Sequence, residues 1–264
     1  MRKYVTAYGI ALQQVLQRRS SLLMDRVGGI AVIVSLYYFW KALLGDKASF
    51  LGYSREQMLS YVLAMNVLRS FVFTGRGWEV VGEISSGRIS SYLVRPLSYH
   101  GYSLALDLAQ KTVHAAAALL EVGVLILLVG APVYVPHKAA SWILFPAAVA
   151  LSSLLFFFLE FIVSSLAFWT SESGGPLMCF QVFLQFAAGT FFPIDVLPKT
   201  AQKLLALTPF PYMVFFPINI YLERPIPGGP GATLLIEAAW LALIAWCAKA
   251  AWRLGLDNYS AEGG

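Results

Sequence analysis

The chain has 264 residues, 58% of them hydrophobic and only 12% charged, with a net charge of +5. Soluble domains carry about 25% charged residues. With a mean hydropathy of +0.68, this composition excludes a soluble globular domain, a disordered chain, a collagen-like repeat and a disulfide scaffold, and points to an all-α integral membrane protein. The basic surplus fits loops beside anionic membrane lipid and calls for no nucleic acid partner.

Residues 1–24 come first. Val5, Tyr8, Leu12 and Val15 repeat at spacings of three and four, while Thr6, Gln13, Gln17 and Arg18 take the other side. That pattern predicts an amphipathic helix lying in the membrane interface, with an ordinary solvated helix as the alternative. Arg2 and Lys3 resemble the start of a signal peptide, but Gln13, Gln14, Gln17, Arg18 and Arg19 interrupt where its apolar core belongs. No cleavable signal is expected.

Six transmembrane helices follow from the apolar runs, over about residues 27–44, 56–73, 104–129, 142–169, 176–192 and 233–252. Charged and amide groups inside such spans are costly, so they face protein or water. Asn66, with Gln181 and Gln185 four apart on the fifth span, are candidates for lining a translocation path. Glu121, Glu160 and Glu237 are expected to pair structurally or to reach the interface, with Arg69 a possible partner for Glu160. Cys179 and Cys247 lie in apolar runs and read as packing residues.

Between the second and third spans, residues 75–98 form one of the longest polar interruptions in the chain. Val80 and Ile84 fall four apart, as do Ile89 and Leu93, so each pair shares one side of a short helix. Gly87 lies between the pairs, where a hinge is cheap, and Pro96 ends the second piece. Between the fifth and sixth spans, Pro193, Pro198, Pro209, Pro211 and Pro217 punctuate a stretch that is still largely apolar. Its two pieces, 198–208 and 212–221, are too short to cross. They predict re-entrant half-helices over about 193–222, packed on the bundle, or else a surface loop with interfacial segments.

Six spans put both termini on one side. That side holds Arg2, Lys3, Arg18, Arg19, Arg26, Arg69, Arg76, Arg88, Arg95, Lys249 and Arg253; the other holds Lys41, Lys47, Arg55, Lys138, Lys199, Lys203 and Arg224. The basic excess predicts that both termini and the 75–98 loop are cytoplasmic.

No HExxH, GxSxG or GxxxxGK[ST] motif occurs, and His100, His114 and His137 are scattered over different segments. Catalysis on a bound metal, a nucleophilic serine and ATP cleavage by a phosphate loop therefore have no signature in this chain.

The order of elements, with Glu83-Ile84-Ser85-Ser86-Gly87-Arg88 running into Leu93-Val94-Arg95-Pro96 and with Phe192-Pro193, Leu197-Pro198 and Thr208-Pro209-Phe210-Pro211-Tyr212 before the last span, resembles the ABC-2 type ABC transporter permeases. The loop is most similar to a branch grouped with multidrug or viologen exporters. The resemblance implies a single transmembrane domain over 1–264, acting as the permease subunit of an ATP-driven exporter in the cell membrane. It implies two permease chains side by side, identical or not, each touching a separate ATPase subunit that carries ATP and Mg, with no cofactor on this chain. In that arrangement residues 75–98 are the coupling element. Val80, Ile84, Ile89 and Leu93 would enter an apolar groove on the ATPase, and Glu79, Glu83, Arg88 and Arg95 would ring it. An ATP-independent transporter or channel, its loop resting on lipid, is the alternative; an intramembrane enzyme lacks the motifs.

Overall fold

The computed structural model describes residues 2–17, 19–45, 49–170 and 172–259, and only the backbone of 19–22 and 25. Arg18 and Lys47, weighed above, lie outside the described residues. Helix α1, Arg2–Gln17, is followed by α2, Arg19–Leu44. Of the predicted interfacial helix over 1–24, Arg2–Gln17 lie in α1 and the last residues lie in α2, which continues into the first span. Tyr4 Oη accepts from the Ser98 backbone N–H at 3.2 Å, and Tyr8 Oη donates to Thr112 Oγ1 at 3.1 Å. Helix α1 therefore runs along the first part of the third predicted span. Ala11 is buried in that contact, and Val5, expected on the apolar side of an interfacial helix, is 70% exposed.

A two-stranded antiparallel ribbon, β1 Ser49–Phe50 and β2 Tyr53–Ser54, leads into α3, Arg55–Val72. Ser54 and Gln57 form a reciprocal capping box that starts α3. Two short helices follow, α4 Gly77–Ser85 and α5 Ile89–Leu93. The chain turns between them at Gly87, whose φ of +74° is one an L side chain resists. Helix α6, Tyr99–Val129, begins at a Ser98 cap and ends at Gly130 in the left-handed conformation. Helix α7 is Ala139–Ser164, continued by a 3-10 turn over Ser165–Phe168; α8 is Gly174–Ala187. Helices α9 Lys199–Ala206 and α10 Phe215–Tyr221 are the two short pieces among the prolines, and α11, Gly229–Asn258, is last.

Among the described residues, five helical stretches are long and apolar enough to cross a membrane: Arg26–Leu44, Arg55–Ser85, Tyr99–Val129, Ala139–Phe168 and Gly229–Asn258. The predicted fifth span differs. Its helix, α8, has 14 residues, about 21 Å at 1.5 Å per residue, against a hydrocarbon core of about 30 Å. It stops because Gly189 takes φ +81°, and the passage continues without helix to Pro193. There Tyr61 Oη donates to the Gly189 carbonyl at 2.7 Å, which satisfies a backbone group that helix would otherwise serve.

The loops gather at two ends. At one, Lys3 donates to the Pro96 carbonyl and Tyr259 Oη lies 3.2 Å from Ser90 Oγ. The start of α1, the loop over 73–98 and the end of α11 thus share an end. At the other, Arg224 Nη1 lies 2.7 Å from Asp195 Oδ2, Tyr53 Oη donates to the same oxygen at 3.0 Å, and Tyr221 Oη donates to the Tyr134 carbonyl at 2.9 Å. A large apolar core joins α2, α3, α7 and α10 through residues such as Tyr37, Met58, Tyr61, Phe156 and Ile218. A second, smaller one lies at the end that holds the termini.

Candidate functional site

Helix α4 is docked by close approach. An added Cβ on Gly77 would stand 2.7 Å from Glu160 Cγ, and one on Gly75 would stand 2.8 Å from Phe156 Cε1. Only glycine lets the α7 side chains come this near. The Gly77 backbone N–H then donates to the Glu160 carboxyl group, one of the free donors at a helix start. Gln181 Nε2, from α8, donates to Glu160 Oε1 at 3.0 Å, and Trp78 Nε1 donates to Gln181 Oε1 at 3.3 Å. The expected Glu160–Arg69 pair is thus not formed, because Glu160 is turned toward the start of α4 and away from α3.

The apolar side of the loop faces inward. Val80, Ile84 and Ile89 are buried against Tyr99, Phe157, Phe161 and Trp252. The three aliphatics expected to enter a partner's groove instead hold α4 and α5 to the chain's own bundle, whose aromatic cluster supplies the cover. Glu83 turns inward as well. Arg76 Nη2 lies 2.9 Å from its Oε1, Tyr99 donates its hydroxyl to Oε2, and Arg76 Nη1 donates to Ser103 Oγ at 3.1 Å. Glu79 accepts from Gln110 Nε2 at 3.2 Å. Neither glutamate rims the outer surface of the loop, because α6 offers each a donor.

The exposed surface is formed by the second half. Leu93 is 44% and Val94 84% exposed, with Arg88, Arg95 and Pro96 exposed around them. Arg88 Nε donates to Ser86 Oγ at 3.0 Å, and the Arg95 guanidinium lies 5.0 Å from the centre of the Tyr92 ring. Tyr92 itself is half-buried; burial, then the nearby Glu83, pushes its hydroxyl above the usual tyrosine value. Below the site, Lys111 Nζ lies 3.0 Å from Asp107 Oδ2 and donates to Ser153 Oγ at 2.9 Å, so the fully buried pair joins α6 to α7.

Next to α4, a cavity of about 330 Å³ is bordered by Arg26, Arg69, Ser70, Thr74, His114, Gln181 and Gln185, with Phe73, Phe156 and Leu184 as apolar walls. Two of the three residues expected to line a path therefore share it. Asn66 does not: it is buried and donates to Glu121 Oε2 at 3.5 Å, while Arg26 lies 3.5 Å from Oε1 of the same carboxylate and 2.8 Å from His114 Nδ1. Glu237 accepts from Ser152 Oγ at 2.8 Å. Arg26 and His114 were legible only as a residue at the head of a span and a lone histidine. Their convergence depends on how α2 and α6 are rotated.

At the far end four of the five prolines named above mark helix boundaries, and Pro217 lies inside α10. Pro193 precedes the 3-10 turn Ile194–Val196, Pro198 precedes α9, and Pro209 and Pro211 open the 3-10 turn Phe210–Met213. The two half-helices differ. None of α9 is buried, whereas five of the seven residues of α10 are. The Arg224 guanidinium lies 3.3 Å from the centre of the Tyr53 ring and holds Asp195 and Asn219 Oδ1, at 2.7 and 3.0 Å. Burial, reinforced by Asp195, pushes the Tyr53 hydroxyl well above the usual range.

A family model described as ABC-2 family transporter protein matches residues 30–263. No curated protein matches the chain.

Proposed function

Because this chain belongs to the ABC-2 family of transporter proteins, we propose that it is the permease subunit of an ATP-driven exporter, worked by a separate ATPase subunit that holds ATP and Mg. The family is one of multi-pass membrane permeases, which normally operate with an ABC ATPase. The chain passes the cell membrane six times, the fifth pass being α8 with the non-helical residues after it. It pairs with a second permease chain, the same or different. The end that holds α4, α5 and both termini faces the cytoplasm, and α9 and α10 form a re-entrant pair on the outer side.

One observation carries the reading: α4 is clamped to α7 and α8 through Glu160 and Gln181, while Leu93 and Val94 stand exposed beside Arg88 and Arg95. Force applied at that exposed surface passes through a helix fixed to two membrane-spanning elements. The coupling role is thus divided. Val80, Glu83, Ile84 and Ile89 act as anchors, Glu79 as an auxiliary hold on α6, Gly87 as the bend, and Arg88, Leu93, Arg95 and Pro96 as the surface offered to the ATPase. Gln181 and Gln185 line the path. Arg2, Lys3, Arg76, Arg88, Arg95, Lys249 and Arg253 at this end agree with the basic excess expected of cytoplasmic loops.

The test is co-purification with the ATPase encoded alongside the chain, with Leu93→Asp/Val94→Asp as the variant. The expected result is intact permease, lost ATPase association and lost ATP-driven transport in reconstituted vesicles. Full transport by the permease alone would overturn the reading in favour of an ATP-independent transporter.

A further inference from the structure

The cavity beside α4 has a charge balance that ordinary structural pairing does not account for. Among the described residues, Arg69 has no hydrogen-bond acceptor or carboxylate partner, although it sits half-buried on a membrane-spanning helix. Arg26 stands close enough for the two like charges to act on one another, and the carboxylate it meets among the described residues, Glu121, also serves Asn66. Glu160, bonded to Gln181 of the lining, is taken by Gln181 and Gly77. No carboxylate lines the cavity itself.

A half-buried guanidinium without a partner is costly, and such residues on spanning helices mark the path of a charged substrate. The planar fork of arginine fits carboxylate and phosphate oxygens in pairs. Gln185 adds an uncharged amide able to donate beside it, and Phe73, Phe156 and Leu184 offer an apolar wall on which a hydrocarbon portion can lie. About 330 Å³ is within the range of small-molecule pockets.

We propose that this cavity is a binding site for the anionic phosphate or carboxylate group of a substrate, with Arg69 as its principal contact and Arg26 as its second. This rests on the permease reading and names the chemical class that the path accepts. An anion seated here bridges α2 and α3 and lies one hydrogen-bonded residue, Gln181, away from Glu160 and the start of α4. Occupancy is thereby felt at the element that meets the ATPase.

The experiment uses the purified full-length permease in nanodiscs of phosphatidylcholine, so that binding is read without the ATPase. Dodecyl phosphate, dodecyl phosphocholine, dodecyl maltoside and inorganic phosphate are titrated in turn. Dodecyl phosphate should bind at least tenfold more tightly than either other amphiphile. Arg69→Gln should remove that preference, Arg69→Lys should retain part of it, and Lys203→Gln, exposed on α9 and outside the cavity, should leave it unchanged. Saturable binding of inorganic phosphate assigns the site to a free anion; its failure to bind assigns it to an amphiphile. Equal binding of the three amphiphiles by the unaltered protein, or an unchanged preference in folded Arg69→Gln, overturns the proposal. Should Arg69→Gln not fold, the comparison of probes on the unaltered protein and on Arg69→Lys decides. Charge-selective binding without ATP-driven transport would keep the site and remove the permease reading. Transport of neutral and anionic probes alike would do the reverse.

Discussion

The backbone N–H of Gly77 donates to the carboxyl group of Glu160, so a side chain from the fourth predicted span caps the helix that lies between the second and third. The contact exists only because residue 77 has no side chain: an added Cβ would lie 2.7 Å from Glu160 Cγ. Gly77→Ala should therefore lower stability by about 1–3 kcal/mol, the usual cost of overpacking. Gly82→Ala, whose Cβ would meet nothing nearer than Arg88 Nη2 at 4.0 Å, should be neutral or slightly stabilising, since alanine favours helix. Thermal unfolding followed by size-exclusion in detergent reads both. Equal melting of the two variants would argue against the cap.

Arg76 and Glu83 are both nearly excluded from solvent, with side chains 6% and 8% exposed. Removing one partner strands the other charge, which costs about 3–5 kcal/mol, so Glu83→Ala and Arg76→Ala should each unfold the loop or the protein. Arg76→Met combined with Glu83→Leu should be milder than the sum of the singles, because the stranded charge is then absent. A double-mutant cycle on chemical unfolding measures the difference, and additivity would show that the pair is not coupled.

Orientation is accessible to labelling. With Cys179 and Cys247 replaced by alanine, a cysteine at Val94, 84% exposed, should react with a membrane-impermeant maleimide only after cells are opened. One at Leu207, 75% exposed at the other end, should react in intact cells. The opposite pattern would invert the molecule and remove the coupling role of the loop.

At the end opposite the termini, Glu223 accepts from Tyr134 Oη at 3.0 Å, Ser141 Oγ at 3.1 Å and the Lys138 backbone N–H. Burial alone would raise its carboxyl value, but these donors, with the His137 N–H, outweigh it and hold it below the ordinary 4.5. A depressed folded value means that the contribution is present above the unfolded value and is lost as pH falls through the folded one. Glu223→Gln should therefore melt earlier than the unaltered protein at pH 7, and the gap should close below pH 4.5. A gap independent of pH would mean that the carboxylate charge plays no part.

Much of this was legible in one dimension. Among the described residues, the apolar runs placed four of the five crossing helices to within six residues at either end, while the second runs on to Ser85; a stretch of about 20 such residues is sufficient by itself. Gly87 read as a hinge and is one, at φ +74°. The spacing of Val80, Ile84 and Ile89 revealed an apolar face but not what covers it. Phe157, Phe161 and Trp252 do so, from helices that sequence distance cannot bring near. The fifth pass read as an ordinary span because residues beyond Ala187 remain apolar. A positive φ at Gly189 and a bond from Tyr61 end the helix there.

By itself the sequence determined that the chain is helical and apolar, because hydrophobic transfer acts on each segment in its own right and needs no neighbour. Only the tertiary structure decided that Glu160 meets Gly77 while Arg69 faces the cavity. A partner for a buried charge depends on the rotation and depth of two helices at once, and no local periodicity carries that information.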